Sequence, residues 1–158
     1  MKRKGPKTIV PVISGKHPTS LLQTTRNKLP QTAFAEDAMK MTPSWRVALA
    51  QVVDPWGWHS LDAEGLMSIR VRLSEYEAKT WNQILVKECY RNHRIECYKL
   101  CKEAKDRLAE LGLDDLELLV SLHLSARERL WGILNHNVLD LLWWDPDHLV
   151  YPVFKQHT

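Results

Sequence analysis

The sequence contains little glycine and little cysteine, and it has no long apolar run. No apolar run approaches the roughly 20 residues that a membrane-spanning helix needs, so no such helix is expected. No glycine-rich phosphate loop occurs among its 6 glycines, which argues against a nucleotide-binding loop of that kind. Its 3 cysteines are an odd number and lie in one region. A disulfide framework is therefore not expected, and the predicted location is a reducing cytoplasm.

The sequence also lacks the motifs of common catalytic centres. It has no Gly-x-Ser-x-Gly motif and no CxxC pair. Four potential metal ligands recur every four residues, at Cys89, His93, Cys97 and Cys101. On the helix predicted there they would form a stripe, and one straight helix cannot arrange four ligands tetrahedrally around one ion. We therefore predict no metal and no cofactor, and we expect the cysteines to act as small buried hydrophobes.

Charge is divided unevenly along the chain. Residues 1–46 hold nine lysines and arginines against two acids, a net charge of +7, whereas residues 47–158 carry −4. Residues 1–43 also hold 5 of the 8 prolines, and we interpret them as a basic N-terminal arm that is disordered or orders only on contact. The folded domain is predicted over 44–158, with its core at 74–158. Its mild acidity argues against a uniformly basic surface for duplex binding.

The rest of the pattern predicts two helices followed by a sheet. A capping-box pattern at Ser74–Glu77 begins a helix that runs to about residue 87. Apolar residues near helical spacing predict a second helix over about 92–111, before Gly112. Strand patterns follow at 117–124, in two arms between 127 and 145 joined by a turn at Asn135–Asn137, and near 149–153. We expect an α+β fold in which the helix pair covers one face of a small antiparallel sheet of three to four strands.

Four polar residues at the ends of the two predicted arms suggest phosphodiester chemistry. Arg127 and Arg129 begin the first arm, and His148 and Tyr151 follow the second. Arginine forks suit bidentate binding of a phosphate, and histidine exchanges a proton near neutral pH. RNA cleavage through the 2′-hydroxyl requires a base, cations for the phosphorane charge and an acid for the leaving oxygen, but no metal. We predict Arg129, His148 and Tyr151 as catalytic residues and Arg127 as a substrate-binding residue.

Further substrate-binding residues are predicted at His123, Lys155 and His157. His123 lies on the first strand of the predicted sheet, and the C-terminal tail could bring the other two across the same face. The alternative interpretation is purely structural. In it, Arg129 pairs with Asp145 or Asp147 across the hairpin, and His148 caps a turn, because charges at the rim of a sheet are usually solvated.

The predicted helices and sheet, ending in His148-Leu-Val-Tyr151, resemble the RelE/ParE superfamily of bacterial type II toxins. Arg129 matches the strand arginine of that family, His148 the basic position after the turn, and Tyr151 the terminal tyrosine. The residues from Leu141 to His148 also resemble uncharacterised bacterial proteins ending in LWWDPxHxVxP. The resemblance covers roughly residues 74–158 and implies a RelE-like fold with an N-terminal extension.

The resemblance implies a toxin of a toxin–antitoxin system that acts as an mRNA endoribonuclease. Its cleavage of mRNA either depends on the ribosome or does not. The expected partners are mRNA or the ribosome and a cognate antitoxin, with no membrane partner. Members of the ParE branch act on DNA gyrase instead, so the target stays open between RNA and gyrase. The alternative function is a non-catalytic RelE-fold binding module that acts through protein–protein or nucleic-acid contacts.

Overall fold

The computed structural model describes residues 35–152. The helices are α1 (Ala35–Met39), α2 (Ala63–Glu77) and α3 (Lys102–Glu110), and the strands are β1 (Ser44–Arg46), β2 (His93–Glu96), β3 (Leu118–His123), β4 (Arg129–Asn135) and β5 (Val138–Asp145). Short 3-10 turns lie at Trp58–Ser60 and Cys97–Lys99, and a π-helical turn lies at Gln83–Lys87. The predictions for residues 1–34, Lys155 and His157 lie outside the described residues.

The α+β prediction is confirmed, but the predicted number and type of strands are wrong. The sheet has five strands in the order β1-β5-β4-β3-β2. Strands β2 to β5 pair antiparallel in sequence order, and β1 adds a parallel edge beside β5 with Ser44 opposite Val138. Both missed strands, β1 and β2, are edge strands of only 3 and 4 residues. Such short segments show too few alternations to be identified from their pattern.

The hairpin of β4 and β5 is confirmed at its predicted turn. Asn135 pairs with Val138, and His136 in the turn has a positive φ of 57°. Two-residue hairpin turns commonly need positive φ, because their twist then matches that of the strands. A bulge lies between Trp131 and Gly132, where an added Cβ would lie 2.6 Å from the Asp140 carbonyl oxygen. Glycine therefore permits the close approach of the two backbones at this bulge.

The first predicted helix is wrong in its position. Helix α2 begins at Ala63, after Asp62, whose side chain accepts a hydrogen bond from the Gly65 amide at 2.7 Å. That cap satisfies an amide that the helix itself leaves unpaired. The residues of the predicted capping box instead lie in the last turn of α2, where the Ser74 hydroxyl donates to the Val71 carbonyl oxygen at 2.9 Å.

The second predicted helix, over residues 92–111, is also wrong in its first half. Its beginning is strand β2, followed by a 3-10 turn, and only Lys102–Glu110 is α-helical. Pairing with β3 overrides the helical spacing, because β2 fills an edge that would otherwise expose unpaired backbone groups. Cys97 is buried and Cys101 caps α3, whereas Cys89 is exposed, so the expected cysteine stripe does not form. Leu149–Pro152, at the predicted last strand, is not a strand.

The helices pack on both faces of the sheet rather than together on one face, which corrects the predicted arrangement. Buried residues of α2 and of the segment 81–85 pack with one set of sheet residues, which comprises Val120, Leu122, Leu130, Leu139 and Leu141. Buried residues of α3 pack with the alternate set, which comprises Leu119, Trp131, Ile133, Leu142 and Trp143. Alternate residues of a strand point to opposite faces, so the sheet is the central layer of three. We call these the α2 face and the α3 face.

Residues 35–43, which the sequence prediction assigns to the arm, contact the folded domain where they are described. Ala38 and Pro43 are buried, and the Trp81 amide donates to the Met41 carbonyl oxygen at 3.0 Å. On the α3 face, Trp56 is buried against Trp143 with ring centroids 5.3 Å apart. No helix between residues 35 and 152 is long and apolar enough to cross a membrane.

Candidate functional site

Three polar residues lie side by side at one end of the three neighbouring strands β3, β4 and β5. His123 on β3 is opposite Arg129 on β4, and Arg129 is opposite Asp145 on β5. Directly opposite residues on antiparallel strands place their side chains on the same face, with Cβ atoms about 4.5–5.5 Å apart. Arg129 and Asp145 are each two residues from a tryptophan of the α3-face core, Trp131 and Trp143. The polar row therefore lies on the α3 face, beside its aromatic core.

Two further histidines join this row from neighbouring segments. His93 begins edge strand β2 opposite Ser121, which lies two residues before His123 and so on the same face. His148 lies in the segment that follows β5, and Val150 just beyond it is fully buried in the α3-face core. We call His93, His123, His148, Arg129 and Asp145 the histidine–arginine cluster.

Asp145 determines how the segment after β5 folds. Its side chain is fully buried, and its two oxygens accept hydrogen bonds from the amides of Leu149 at 3.0 Å and Val150 at 2.9 Å. The Val150 carbonyl oxygen in turn accepts from the Cys101 amide at 2.9 Å, which ties the segment to the beginning of α3. His148 lies inside this closed turn with φ of 60°, a left-handed conformation that is uncommon for residues other than glycine. Asp145 thus fixes the backbone that presents the His148 imidazole.

The Arg129 side chain is held by the loop between β3 and β4. Its Nη1 atom donates to the carbonyl oxygens of Ser125 at 3.0 Å and Glu128 at 2.9 Å. The loop is itself closed, because the Ser125 hydroxyl donates to Glu128 Oε2 at 2.6 Å. Among residues 35–152, no hydrogen bond or ion pair uses Nε or Nη2 of Arg129. Part of the guanidinium fork is therefore available to an anion, while the rest keeps it in place.

Asn92 supports the cluster from the interior. It is fully buried, and its Oδ1 atom accepts from the His123 amide at 2.9 Å and lies 2.9 Å from the Tyr76 hydroxyl. The same hydroxyl lies 2.7 Å from the His123 carbonyl oxygen, so its single proton has two acceptors. Asn92 Nδ2 donates to the Ile84 carbonyl oxygen at 3.3 Å. This network fixes the end of β3 that carries His123 and the beginning of β2 that carries His93. Burial raises the pKa of Tyr76 to about 12, so its hydroxyl stays protonated.

The surroundings lower the pKa of all three histidines of the cluster. Burial lowers the pKa values of His93, His123 and His148 from 6.5, and the positive charge of Arg129 lowers each of them further. Burial also lowers the pKa of the Arg129 guanidinium, against the opposing effect of Asp145. Imidazoles with lowered pKa values are mostly neutral at neutral pH, in the form that can accept a proton.

The environments of His123 and His148 differ in the charges around them. Arg91 and Arg72 add to Arg129 in lowering the pKa of His123. Near His148 the negative charge of Asp145 opposes the effect of Arg129, while His93 adds a further lowering. Apart from burial, three positive charges lower the pKa of His123, whereas the Asp145 carboxylate opposes the lowering of the pKa of His148. The arginine charges around His123 all oppose its protonation, whereas the Asp145 carboxylate favours protonation of His148.

We expect the stability of the protein to fall as the pH is lowered through the histidine range. The folded pKa values of the cluster histidines lie below the unfolded value of 6.5, so the unfolded chain binds protons first. The contribution of the neutral histidines to stability is therefore fully present above pH 6.5. It is lost as the pH falls towards the pKa values of the folded state. Urea unfolding at about pH 7.5 and about pH 5.5 measures the effect. Inorganic phosphate should reduce the loss, because a bound anion favours the charged imidazoles.

The variant His59→Gln is the matched control for this pH dependence. His59 pairs with Asp54 at 3.4 Å and lies outside the cluster. Its replacement should leave the loss of stability at low pH unchanged, whereas His93→Gln or His148→Gln should reduce it. An equal pH dependence in all of these variants would contradict the lowered pKa values of the cluster.

The structure brings together some of the sequence-predicted site residues and separates others. Arg129, His123 and His148 meet in the cluster. Arg127 is largely exposed and lies 3.9 Å from Asp147, a pairing across the hairpin that the structural alternative expected for Arg129 instead. Tyr151 is half-buried and packs against the α3-face core near Lys99, and no hydrogen bond or ion pair within the described residues joins it to Arg129. The roles of these residues stay predictions.

Sequence reasoning did not identify His93 and Asp145 as site residues. The sequence pattern places His93 on a predicted helix, four residues from both Cys89 and Cys97, and does not indicate strand β2. Asp145 was treated as a turn residue or as the partner of Arg129. One signal was present in the sequence, since an aspartate directly after the buried run of β5 is well placed to accept amides of the following turn.

Neither a metal site nor a deep cavity coincides with the cluster. Within residues 35–152, no group of three or more His, Cys, Asp or Glu side chains is placed to hold a metal ion. An open cavity of about 600 Å³ lies elsewhere, with Glu96, Tyr98, Asp114 and Glu117 among its lining residues and no member of the cluster. The groups that the cluster brings together are imidazoles, which can transfer protons, and a guanidinium, which can bind an anion.

Comparisons with protein family models, with curated proteins and with solved structures find no match to this chain. The function is therefore inferred from the geometry and charges of the cluster.

Proposed function

We propose that the protein is a metal-independent endoribonuclease whose active site is the histidine–arginine cluster. The observation that carries this proposal is the arrangement of His93, His123 and His148 around Arg129, with an arginine charge acting on all three imidazoles. A phosphate bound to Arg129 would lie among groups that accept and donate protons at neutral pH. RNA cleavage through the 2′-hydroxyl needs this combination and no further cofactor.

The charges around the histidines suggest how the proton transfers are divided. His123, next to three arginines, stays neutral and removes the proton from the 2′-hydroxyl. The 2′-oxygen then bonds to phosphorus while the bond to the 5′-oxygen breaks, and Arg129 stabilises the extra negative charge on the phosphorane. The negative charges of Asp145 and of the bound phosphodiester favour the protonated form of His148, which donates its proton to the leaving 5′-oxygen. The products are a 2′,3′-cyclic phosphate and a 5′-hydroxyl, and proton exchange with water restores both imidazoles.

The remaining predicted residues extend the binding surface in this proposal. Arg127 is exposed beside the cluster and is held only by a long contact to Asp147, so it can turn to a neighbouring phosphate. His93 supplies a third imidazole at the open edge of the sheet. Tyr151, Lys155 and His157 follow His148 along the chain and are proposed to contact the RNA further from the cleaved bond.

We further propose that the fold is RelE-like and that the protein is the toxin of a cytoplasmic toxin–antitoxin pair. Two observations support this. In the antiparallel run β2 to β5, Arg129 begins the inner strand β4, and His148 and Tyr151 follow the last strand. The parallel strand β1 and the helices on both faces would be additions to the smaller arrangement expected from the resemblance. The substrate is then mRNA, free or on the ribosome, and the inhibiting partner is a cognate antitoxin.

Cleavage of a defined single-stranded RNA in the presence of a metal chelator tests the proposed reaction. We expect products ending in a 2′,3′-cyclic phosphate, and no cleavage at a position where the RNA carries a single 2′-deoxynucleotide. Replacement of His148 by Asn should lower the rate by about 10²–10⁴-fold, the usual contribution of a positioned acid or base. His59→Asn is the control, because His59 is an exposed histidine paired with Asp54 outside the cluster.

Two results would contradict the proposal. In the first, the protein binds RNA but does not cleave it, whether or not isolated ribosomes are added. This result would favour the non-catalytic binding module. Cleavage that His148→Asn does not slow would exclude this cluster as the active site. Induced expression in a bacterial host separately tests the toxin role, where growth arrest that disappears in the His148→Asn variant is the expected result.

A further inference from the structure

Two tyrosines on the described part of the chain are highly exposed, and each has a cation over its ring. Tyr90 is 69% exposed, with the Arg91 guanidinium carbon 5.3 Å from the ring centroid. Tyr98 is 72% exposed, with the Lys99 ammonium 5.6 Å from the ring centroid. A large aromatic side chain gains little from exposure to water, and a solvent-facing ring with a cation on one side offers its other face for stacking.

Tyr90 lies in the turn that leads into strand β2, three residues before His93 of the cluster. The turn that contains it is closed by the amides of Arg91 and Asn92, which donate to the Glu88 carbonyl oxygen at 2.9 and 3.1 Å. Asn92 is fully buried and accepts the His123 amide at 2.9 Å. Tyr90 is therefore two residues from a fixed contact with the backbone of His123.

The positive charge of Arg91 acts on both Tyr90 and the cluster. Its charge acts on both His123 and Tyr76, and its guanidinium covers one face of the Tyr90 ring. The one acidic residue of the turn, Glu88, is neutralised by an ion pair with Lys79. The turn therefore presents an exposed aromatic ring next to a guanidinium whose charge reaches His123 of the cluster.

The surface around Tyr98 is different, although the two tyrosines are alike in exposure. Tyr98 lines the open cavity together with Glu96, Asp114 and Glu117. Carboxylates at that density repel a phosphate backbone. Lys99 over the Tyr98 ring is also paired with Glu96 at 2.8 Å. Tyr98 is thus a natural control for an exposed tyrosine without a nucleic-acid role.

We propose that Tyr90 and Arg91 form a stacking subsite for a base of single-stranded RNA whose neighbouring phosphate is bound at Arg129. This inference rests on the proposed endoribonuclease function and adds the requirement for an unpaired base. A base can stack on the free face of Tyr90 only when it is not held inside a duplex, so the subsite selects single-stranded over double-stranded substrate. Stacking tolerates any base, so the subsite adds affinity without a strict sequence preference.

A short single-stranded RNA with 2′-O-methyl groups throughout and one 2-aminopurine tests the subsite, because this probe binds without being cleaved. Replacement of Tyr90 by Ala should weaken its binding about 5- to 100-fold, as removal of one stacking platform does. Binding of inorganic phosphate, followed by the histidine signals of the cluster, should stay unchanged. Tyr90→Trp should retain the affinity and the quenching of 2-aminopurine, and Tyr98→Ala should match the unmodified protein in both measurements.

The possible outcomes separate this inference from the function on which it rests. Tight binding of probe and phosphate with no loss in Tyr90→Ala would overturn the subsite and leave the proposed function intact. An equal loss in Tyr90→Ala and Tyr98→Ala would also overturn it, because the effect would not be local. Failure of the unmodified protein to bind either probe or phosphate would overturn both proposals together.

Discussion

Replacement of Arg129 by Ala is expected to lower the rate of RNA cleavage by about 10²–10³-fold, comparable to loss of a main group that stabilises transition-state charge. The guanidinium is the one group whose charge reaches all three histidines of the cluster within the described residues. Its removal should also raise the pKa values of His93, His123 and His148, because a neighbouring positive charge no longer opposes their protonation. The rate loss is measured on a defined RNA, and the pKa changes by histidine NMR titration.

Two further variants make the Arg129 experiment specific. Arg94→Ala removes a neighbouring arginine of β2 whose Nη2 atom contacts Met39 Sδ at 2.9 Å, away from the cluster. It should leave both rate and histidine titration unchanged. Arg129→Lys retains the charge without the planar fork, so the histidine pKa values should stay low while the rate still falls. An active Arg129→Ala variant with unchanged histidine titration would contradict the assignment of Arg129.

Replacement of Asp145 by Ala is expected to lower the free energy of unfolding by about 2–4 kcal/mol, because two amides near the core lose their acceptor. These amides belong to Leu149 and Val150, and Asp145 itself is fully buried. The turn that holds His148 at positive φ would lose its fixed geometry as well. RNA cleavage should therefore fall even under conditions in which the variant is fully folded.

Urea unfolding and the cleavage assay together test the role of Asp145. Asp147→Ala is the matched control, since Asp147 is an exposed aspartate of the same segment with only a 3.9 Å contact to Arg127. Its stability should change by less than about 0.5 kcal/mol, as for most surface substitutions. Normal stability and normal cleavage in Asp145→Ala would refute the view that this carboxylate organises the turn.

The part of the fold that could be predicted from the sequence is the β4–β5 hairpin with β3 beside it. Its strands have long apolar runs, and Asn135–Asn137 provides a turn with residues that tolerate positive φ. Local pattern and tertiary pairing agree there, so the prediction succeeded. The class α+β followed from the same elements.

Prediction failed where tertiary contacts override the local pattern. Ile95 begins an apolar pattern of helical spacing that continues to Leu111, but residues 93–96 pair with β3 instead. Strand β1 depends on its contact with β5 rather than on its own sequence. The beginning of α2 was missed because Asp62 caps a helix whose first turn has little apolar periodicity. The prediction that both helices cover one face of the sheet is wrong for the same reasons.

Three of the five cluster residues could be predicted as site residues from the sequence, and two could not. Arg129 begins the predicted hairpin, His123 ends the strand before it, and His148 follows it. Short connections between antiparallel strands predict that these three residues lie near one another. His93 joins them only through the edge strand that the pattern did not reveal. The position of Asp145 after the buried run of β5 is a local signal, but its two amide contacts depend on the path of the chain after β5, which tertiary packing determines.

The most direct test of the proposed active site is histidine NMR during a titration with inorganic phosphate, at low salt and without divalent metal. If phosphate binds at Arg129, the pKa values of His93, His123 and His148 should all rise on saturation, and Arg129→Ala should abolish the rise. His59 should show no change and serves as the internal reference. Phosphate that leaves the three cluster histidines unshifted, or that shifts His59 equally, would contradict a phosphate-binding active site at this cluster.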